Sequence, residues 1–303
     1  MKLVTFDLDG VLMRNPFNRY VFPKIAELLR PYLAADQEFH PPVDAQGQLL
    51  SPLPDQITAP GLDAEERVIV AAILAETVGP LQAGFSPAAF DWDAAVGNVA
   101  EKVGYKKKIS IVELVKEGCR LGYAAAYPHA ATTLEILCRA GATLVAITNG
   151  FTCYQKPVLQ TLGLLRYFRA VVTPVEAGVA KPATRIFAMA RRMVGLPDDQ
   201  PAIHVGDSIL CDVVGANAAG MYAIWVNDTL PTTVRAAAAW ERPVHPELMP
   251  HLYKVMRREF AYPVYQPPPQ QLMPAAVVSG MMEIPTAITH LWRTLMSDAA
   301  QTH

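Results

Sequence analysis

The stretch FDLDGVL, residues 6–12, sets two aspartates one residue apart at the end of the short apolar run LVTF, with a glycine directly after them. Three later apolar runs also end in chemically useful side chains. ITNG (147–150) offers the Thr148 hydroxyl and the backbone amides around Asn149 and Gly150, EAGVAKP (176–182) offers Lys181, and GDSILCD (206–212) offers Asp207 and Asp212. If these ends meet, four carboxylates share one site. Two unit charges about 4 Å apart cost about 4 kcal/mol at an effective dielectric near 20, so the group needs a compensating charge. Lys181 alone is too little. A hard divalent ion with oxygen ligands is the remedy, and Mg²⁺ suits an incomplete protein cage with positions left for water and a phosphate oxygen. Metal and lysine to neutralise equatorial oxygens, with a hydroxyl and amides to orient them, is what a phosphoryl group in transfer requires.

The elements that must position these groups follow from the hydrophobic pattern. Short β-rich runs at 3–6, 143–147, 170–173, 202–205, 223–226 and 276–279 alternate with helical segments, the pattern of an α/β protein with a doubly wound parallel sheet. In such a sheet ligands sit beyond the carboxyl ends of the strands, where the six residues above fall. Glycines 141, 195 and 220 stop helices, and Pro182 is expected to start one. Residues 14–126 lack strand-helix alternation and read as mostly helical, with amphipathic stretches near 20–32, 64–76, 90–103 and 110–121, interrupted by a proline-rich loop at 39–61. Residues 229–274, with their PPP run, read as extended linker around a short helix near 250–260.

DLDGV, TNG, KP followed by RIF, and GDSILCD resemble, in order, the four motifs of the haloacid dehalogenase (HAD) superfamily, and the resemblance runs from about Val4 to Gly220. The late VVSGMMEIP is similar to the last strand and helix of such cores. The resemblance implies a Rossmannoid core of residues 1–13, 127–228 and 275–303, a helical cap of 14–126 inserted after the first motif, and a proline-rich insertion of 229–274. It implies that Asp7 is the nucleophile that takes the phosphoryl group, that Asp9 protonates the leaving alcohol and then activates water, and that Thr148 with the Asn149 and Gly150 amides holds the phosphoryl group. Lys181 would neutralise that group and restrain Asp7. Mg²⁺ would be held by Asp7, the Asp9 carbonyl and Asp207, with Asp212 behind them or acting through water. Relatives that displace halide carry no acid at the second position, because halide leaves without a proton, so Asp9 favours a phosphate ester. The expected activity is hydrolysis of a small phosphorylated metabolite through an aspartyl phosphate. A phosphomutase, a phosphonate-cleaving enzyme and a non-catalytic phosphate-binding protein remain alternatives. LMRNPF follows DGV where relatives often place a further acid, so the entrance differs here.

The rest of the chain bounds this reading. At 303 residues with a formal net charge of −2, it offers no electrostatic case for wrapping nucleic acid. The longest apolar run, VIVAAILA, is too short to span a bilayer. Cys119, Cys138, Cys153 and Cys211 show no zinc or disulfide spacing, and the amino terminus reads as neither signal nor transit peptide, which together suggest the cytoplasm. Lys106, Lys107 and Lys108 read as a solvated face, Arg14, Asn15, Asn18 and Arg19 as helix surface, His129 and His204 as packing or capping residues, and Cys153 and Cys211 as plain thiols. The sequence leaves oligomeric state open.

Overall fold

The computed structural model describes residues 2–33, 39–47, 49–51, 57, 59–259 and 267–301. Its strands, in chain order, are β1 (Lys2–Phe6), β2 (Met13–Arg14), β3 (Ala125–Ala126), β4 (Ala142–Ile147), β5 (Ala170–Val172), β6 (Ala202–Gly206), β7 (Tyr222–Val226) and β8 (Ala276–Val278). Six of them form one parallel sheet in the order β5-β4-β1-β6-β7-β8. Alternate residues enter opposite cores, as the two-residue repeat of a strand demands. Val4, Phe6, Leu144, Ala146, Ile203 and Val205 belong to one cluster, and Leu3, Val145, Ile147, Ala202, Ala223 and Trp225 to the other. Helices cover both faces, which is why the strand sequences are nearly continuous apolar runs.

From β1 the chain builds β4 and β5 on one side, then returns to lay β6 against the other edge of β1. The crevice beyond the carboxyl end of β1 is thus the point where winding reverses, the expected ligand position in this α/β architecture. All six strands read from the sequence are present within a residue or two of the expected ends.

β2 and β3 pair antiparallel, Met13 with Ala126 and Arg14 with Ala125, so the segment between them leaves and rejoins the chain at one place. Its described helices are Phe22–Leu29, Ala64–Ala75, Val78–Gln82, Trp92–Lys102 and Ile111–Arg120. Their starts have local causes. Asp63 accepts from the Glu66 amide while Glu66 reaches back to the Asp63 amide, and Asp91 and Ser110 cap the next long helices. The expected helix at 20–32 is divided into a π-helical turn Phe17–Val21, the helix Phe22–Leu29 and a 3₁₀ turn Arg30–Tyr32 that contains Pro31. The described residues of the 39–61 loop hold no helix.

Two expectations are corrected. The helix after Lys181 starts at Thr184 rather than Pro182, because Ala183 keeps an extended backbone (φ −58°, ψ 130°). The described residues of 229–274 hold the expected short helix, at Leu248–Met256, but are not otherwise extended linker, for they also form the helix Thr232–Ala236 and the single turns Arg242–Val244 and Pro269–Gln271. Val234, Leu248 and Leu252 are fully buried, and the i, i+4 spacing of Leu248, Leu252 and Met256 supplies the apolar stripe that prolines elsewhere in the segment obscured. Buried Arg242 donates to the carbonyls of Arg235, Ala237 and Val277 and to Glu283. Phe260 and the first residue of QPPPQ lie outside the described residues. Among the described residues no helix is long and apolar enough to cross a membrane.

Candidate active site

Asp7 continues β1 by one residue, its amide donating to the Val205 carbonyl at 2.9 Å, so its carboxylate emerges where the winding reverses. Lys181 Nζ donates to Asp7 Oδ1 at 2.7 Å and to Asp212 Oδ1 at 2.6 Å. These side chains are enclosed: 12% exposed for Asp7, 3% for Lys181 and 1% for Asp212. The lysine backbone is clamped by Asn149, whose Oδ1 accepts from the Lys181 amide at 2.8 Å while Nδ2 donates to the Lys181 carbonyl at 3.2 Å. The Asn149 side chain therefore serves the lysine loop.

The charges respond to this enclosure. Burial disfavours the Lys181 cation, but Asp212 and Asp7 outweigh it and hold the pKa above its usual value. Burial likewise opposes the Asp212 anion, but Lys181 and His204 outweigh it and hold the carboxyl well below the usual carboxylate range. For Asp7 burial wins over Lys181, and with the nearby Asp212 and Asp9 it pushes the pKa up to about 7. Asp207 is also raised, by burial first and then by Asp7 and Asp212.

A tight turn follows Asp7. The amides of Leu12 and Met13 both donate to the Leu8 carbonyl, at 2.9 and 3.0 Å, and Gly10 sits at φ +82°. A Cβ on Gly10 would lie 2.1 Å from Asp207 Oδ2, so glycine is required here both for the left-handed backbone and for the carboxylate that packs over it. Asp9 turns the other way. Its Oδ2 accepts from Gln155 Nε2 at 2.7 Å, while Oδ1 is buried without a donor in bonding geometry among the described residues. Burial raises its pKa, with Gln155 and the adjacent Asn15 opposing. Thr148, 2% exposed at the end of β4, accepts from the Gly150 amide through Oγ1 at 3.2 Å.

Asp7, Asp207 and Asp212 each offer a carboxylate oxygen within 4.8 Å of the others. The donor set is all oxygen, as Mg²⁺ prefers, and the close fit of Asp207 over Gly10 leaves no Cβ in the cradle. The two raised carboxyls, Asp7 and Asp207, are the groups a divalent cation would relieve. Asp212 is otherwise engaged. Its Oδ1 meets Lys181 and His204 Nε2 (2.9 Å), and its Oδ2 accepts from the Ser208 amide at 3.0 Å.

Four residues near the site escaped the sequence reading of its chemistry. Gln155 had a visible signal, as the one polar residue in the buried stripe Tyr154, Gln155, Val158, Leu159. His204, read as packing or capping, links Thr5 Oγ1 (2.8 Å) to Asp212, and burial lowers its pKa. Asn15, read as helix surface, lies beside Asp9. Glu259 bonds the turn after Asp207, and nothing local to either segment announces the pairing. Lys106, Lys107 and Lys108 are exposed, as expected, and all four cysteines are free.

The model of the haloacid dehalogenase-like hydrolase family matches residues 1–220, and the chain belongs to that family. It is a hydrolase. Among curated relatives, it is 38% identical over 100 residues to a pyrimidine 5'-nucleotidase of Escherichia coli (33% of this chain, 44% of that protein) and 36% identical over 126 residues to a phosphoserine phosphatase of Thermus thermophilus (42% and 46%). The chain spans about half the length of the curated relatives it matches. A HAD phosphatase structure from Thermococcus onnurineus shares the fold at a TM-score of 0.58 and 22% identity, over 94% of this chain and 97% of that one.

Proposed function

We propose that the chain is a Mg²⁺-dependent phosphatase that hydrolyses a small phosphomonoester through an aspartyl phosphate on Asp7. The observation that carries this reading is the pairing of a lysine-restrained Asp7 with a second aspartate, Asp9, whose carboxyl burial favours in the protonated form and whose Oδ1 has no donor in bonding geometry among the described residues. Displacing halide needs no such acid. Expelling an alkoxide does.

In this reading an Asp7 carboxylate oxygen bonds to phosphorus as the ester oxygen leaves and takes the Asp9 proton. Asp9, now ionised, removes a proton from water, which attacks phosphorus, releases inorganic phosphate and frees Asp7. Lys181 offsets charge on Asp7 and the incoming phosphoryl group, and the Thr148 hydroxyl with the Asn149 and Gly150 amides orients its oxygens. Asp7, Asp207 and the Asp9 carbonyl would hold Mg²⁺, with Asp212 fixing Lys181 behind them. When bound, the cation supplies the positive charge that keeps Asp7 ionised and offsets the phosphoryl oxygens. Residues 1–13, 127–228 and 275–303 form the catalytic core in this proposal, and 14–126 form a cap that chooses the substrate and excludes water. Free thiols throughout suit a reducing compartment such as the cytoplasm.

The test is phosphate release from a panel of sugar phosphates, nucleotides and phosphorylated amino acids, with and without Mg²⁺, for wild type and Asp7→Asn. Metal-dependent release lost in the variant is expected, since the amide is nearly isosteric but not nucleophilic. Near-wild-type turnover by Asp7→Asn would remove Asp7 as nucleophile, and no release from any ester would remove the phosphatase reading.

A further inference from the structure

The turn Ser208-Ile209-Leu210 follows Asp207 directly and begins the helical segment Ile209–Val214. The first amides of a helix have no partner within it and must find one elsewhere. Ser208 meets part of this need, its Oγ accepting from the Cys211 amide at 2.9 Å. In the usual capping box a Glu or Gln at the third helical position reaches back to complete the arrangement. Here that position is Cys211, which lacks the reach and the oxygen atoms.

Glu259 supplies them from about fifty residues away. Its Oε2 accepts from Ser208 Oγ at 2.6 Å and from the Leu210 amide at 2.9 Å, and its Oε1 accepts from the Ile209 amide at 2.5 Å. One carboxylate thus binds three donors in consecutive residues. Glu259 is delivered by the helix Leu248–Met256, which is seated through Leu248, Leu252 and Met256 in the same apolar cluster as Ile209, Leu210 and Val213. That helix also bears on Asp207 itself. His251 bonds Asn227 Oδ1 at 3.0 Å and lies against the Trp225 ring (6.0 Å between centroids), and Trp225 Nε1 donates to the Asp207 carbonyl at 2.8 Å. The Asp207 carbonyl and the turn after it are therefore fixed by residues of, or packed on, the 229–274 segment.

We infer that Glu259 is a positioning residue for Asp207, and that the 229–274 segment serves the active site by holding the metal-bearing turn from outside. The inference rests on the proposed Mg²⁺ site. An outer residue that orients a ligand typically changes metal affinity 10–100-fold. Glu259→Gln keeps the shape and one acceptor oxygen, so the fold survives while the three-donor clamp is incomplete.

The experiment compares wild type, Glu259→Gln and Glu259→Ala in three measurements: calorimetric Mg²⁺ binding without substrate, amide hydrogen exchange across 206–214, and the Mg²⁺ dependence of phosphate release. Both variants are expected to bind Mg²⁺ about 10-fold or more weakly, to exchange the Ile209 and Leu210 amides faster, and to recover kcat at high Mg²⁺ with the ester KM unchanged. A residue that only stabilises the fold would lower the melting temperature and leave Mg²⁺ affinity as in wild type, and that result overturns the inference. If wild type binds Mg²⁺ but cleaves no ester, the phosphatase reading fails while this inference stands on affinity and exchange. If wild type binds no Mg²⁺, both fall.

Discussion

Gly10→Ala separates backbone strain from damage to the site. Gly10 stands at φ +82°, where an L side chain costs roughly 1–2 kcal/mol. Against a typical total stability of about 5–15 kcal/mol, that strain alone leaves the protein folded. The larger effect is local. The new Cβ would fall 2.1 Å from Asp207 Oδ2 and 2.6 Å from its Cγ, so the carboxylate must withdraw by roughly 1.3 Å or more to reach ordinary van der Waals contact. Mg²⁺ holds its ligands at about 2.0–2.1 Å with a tolerance near 0.2 Å, so a displacement of that size removes Asp207 from coordination. The expected phenotype is a folded protein with Mg²⁺ affinity lowered at least 10-fold, the lower end of the loss typical of a disturbed ligand arrangement. Gly141→Ala is the control. Gly141 has nearly the same φ, +81°, but no atom within 4 Å of its would-be Cβ. Both variants should lose melting temperature to backbone strain, Gly10→Ala the more because of its clash with Asp207, and only Gly10→Ala should need more Mg²⁺ for half-maximal phosphate release. Equal Mg²⁺ requirements in the two variants would refute the steric argument.

Two further outcomes follow from buried charge. Burial raises the pKa of Asp7 from 3.8 to about 7, so in the metal-free protein Asp7 contributes stability below pH 4 that is lost as pH rises towards 7; the increase in melting temperature on adding Mg²⁺ should therefore be larger at pH 8 than at pH 5, and the opposite order would contradict the assignment. Arg242→Met removes the guanidinium from Glu283, which keeps the Ser279 amide and hydroxyl, and from the carbonyls of Arg235, Ala237 and Val277, the last of them buried, so chemical denaturation should show a loss of about 1–3 kcal/mol, whereas no measurable loss would mean the 229–274 segment is dispensable to the fold.

What was legible in the sequence was local in origin. The parallel strands could be read because each is an apolar run a few residues long, and the helices at 64–75 and 111–120 because they fall in amphipathic stretches. Asp7, Thr148, Lys181 and Asp207 could be read because each directly follows a strand or the loop after one. The failures have the opposite character. Pro182 misplaced a helix start because its neighbour Ala183 stays extended, a choice made by the Lys181 loop. Prolines concealed the packing of 229–274 because local composition does not register a stripe of three residues that finds its partner in the distant segment 209–213. The bond from Glu259 to the Ser208 turn is a pairing of distant residues with no shared pattern, and only the folded chain brings them together.

The division of labour among the acids follows from how completely each is already satisfied. Asp212 meets Lys181, His204 and the Ser208 amide, its pKa is depressed, and Lys181 in turn is fixed by Asp212, Asp7 and the Asn149 clamp. This pair is settled before any ligand arrives, so it fits a supporting role. Asp7 and Asp207 are raised by burial and by proximity to the other acids, and Asp9 keeps an oxygen with no donor in bonding geometry among the described residues. Their unmet demands differ in kind. Two adjoining carboxyls that resist ionising together call for a cation, whereas one apart from that cluster, held by an amide on a single oxygen, is suited to exchange a proton. A phosphate ester in the presence of Mg²⁺ answers both demands at once, and a haloacid answers neither. The proposed reaction class therefore rests on the unsatisfied groups more than on the fold, which is why Gln155 and Glu259, remote in sequence from the motifs, are the first substitutions to make after the proposed nucleophile Asp7.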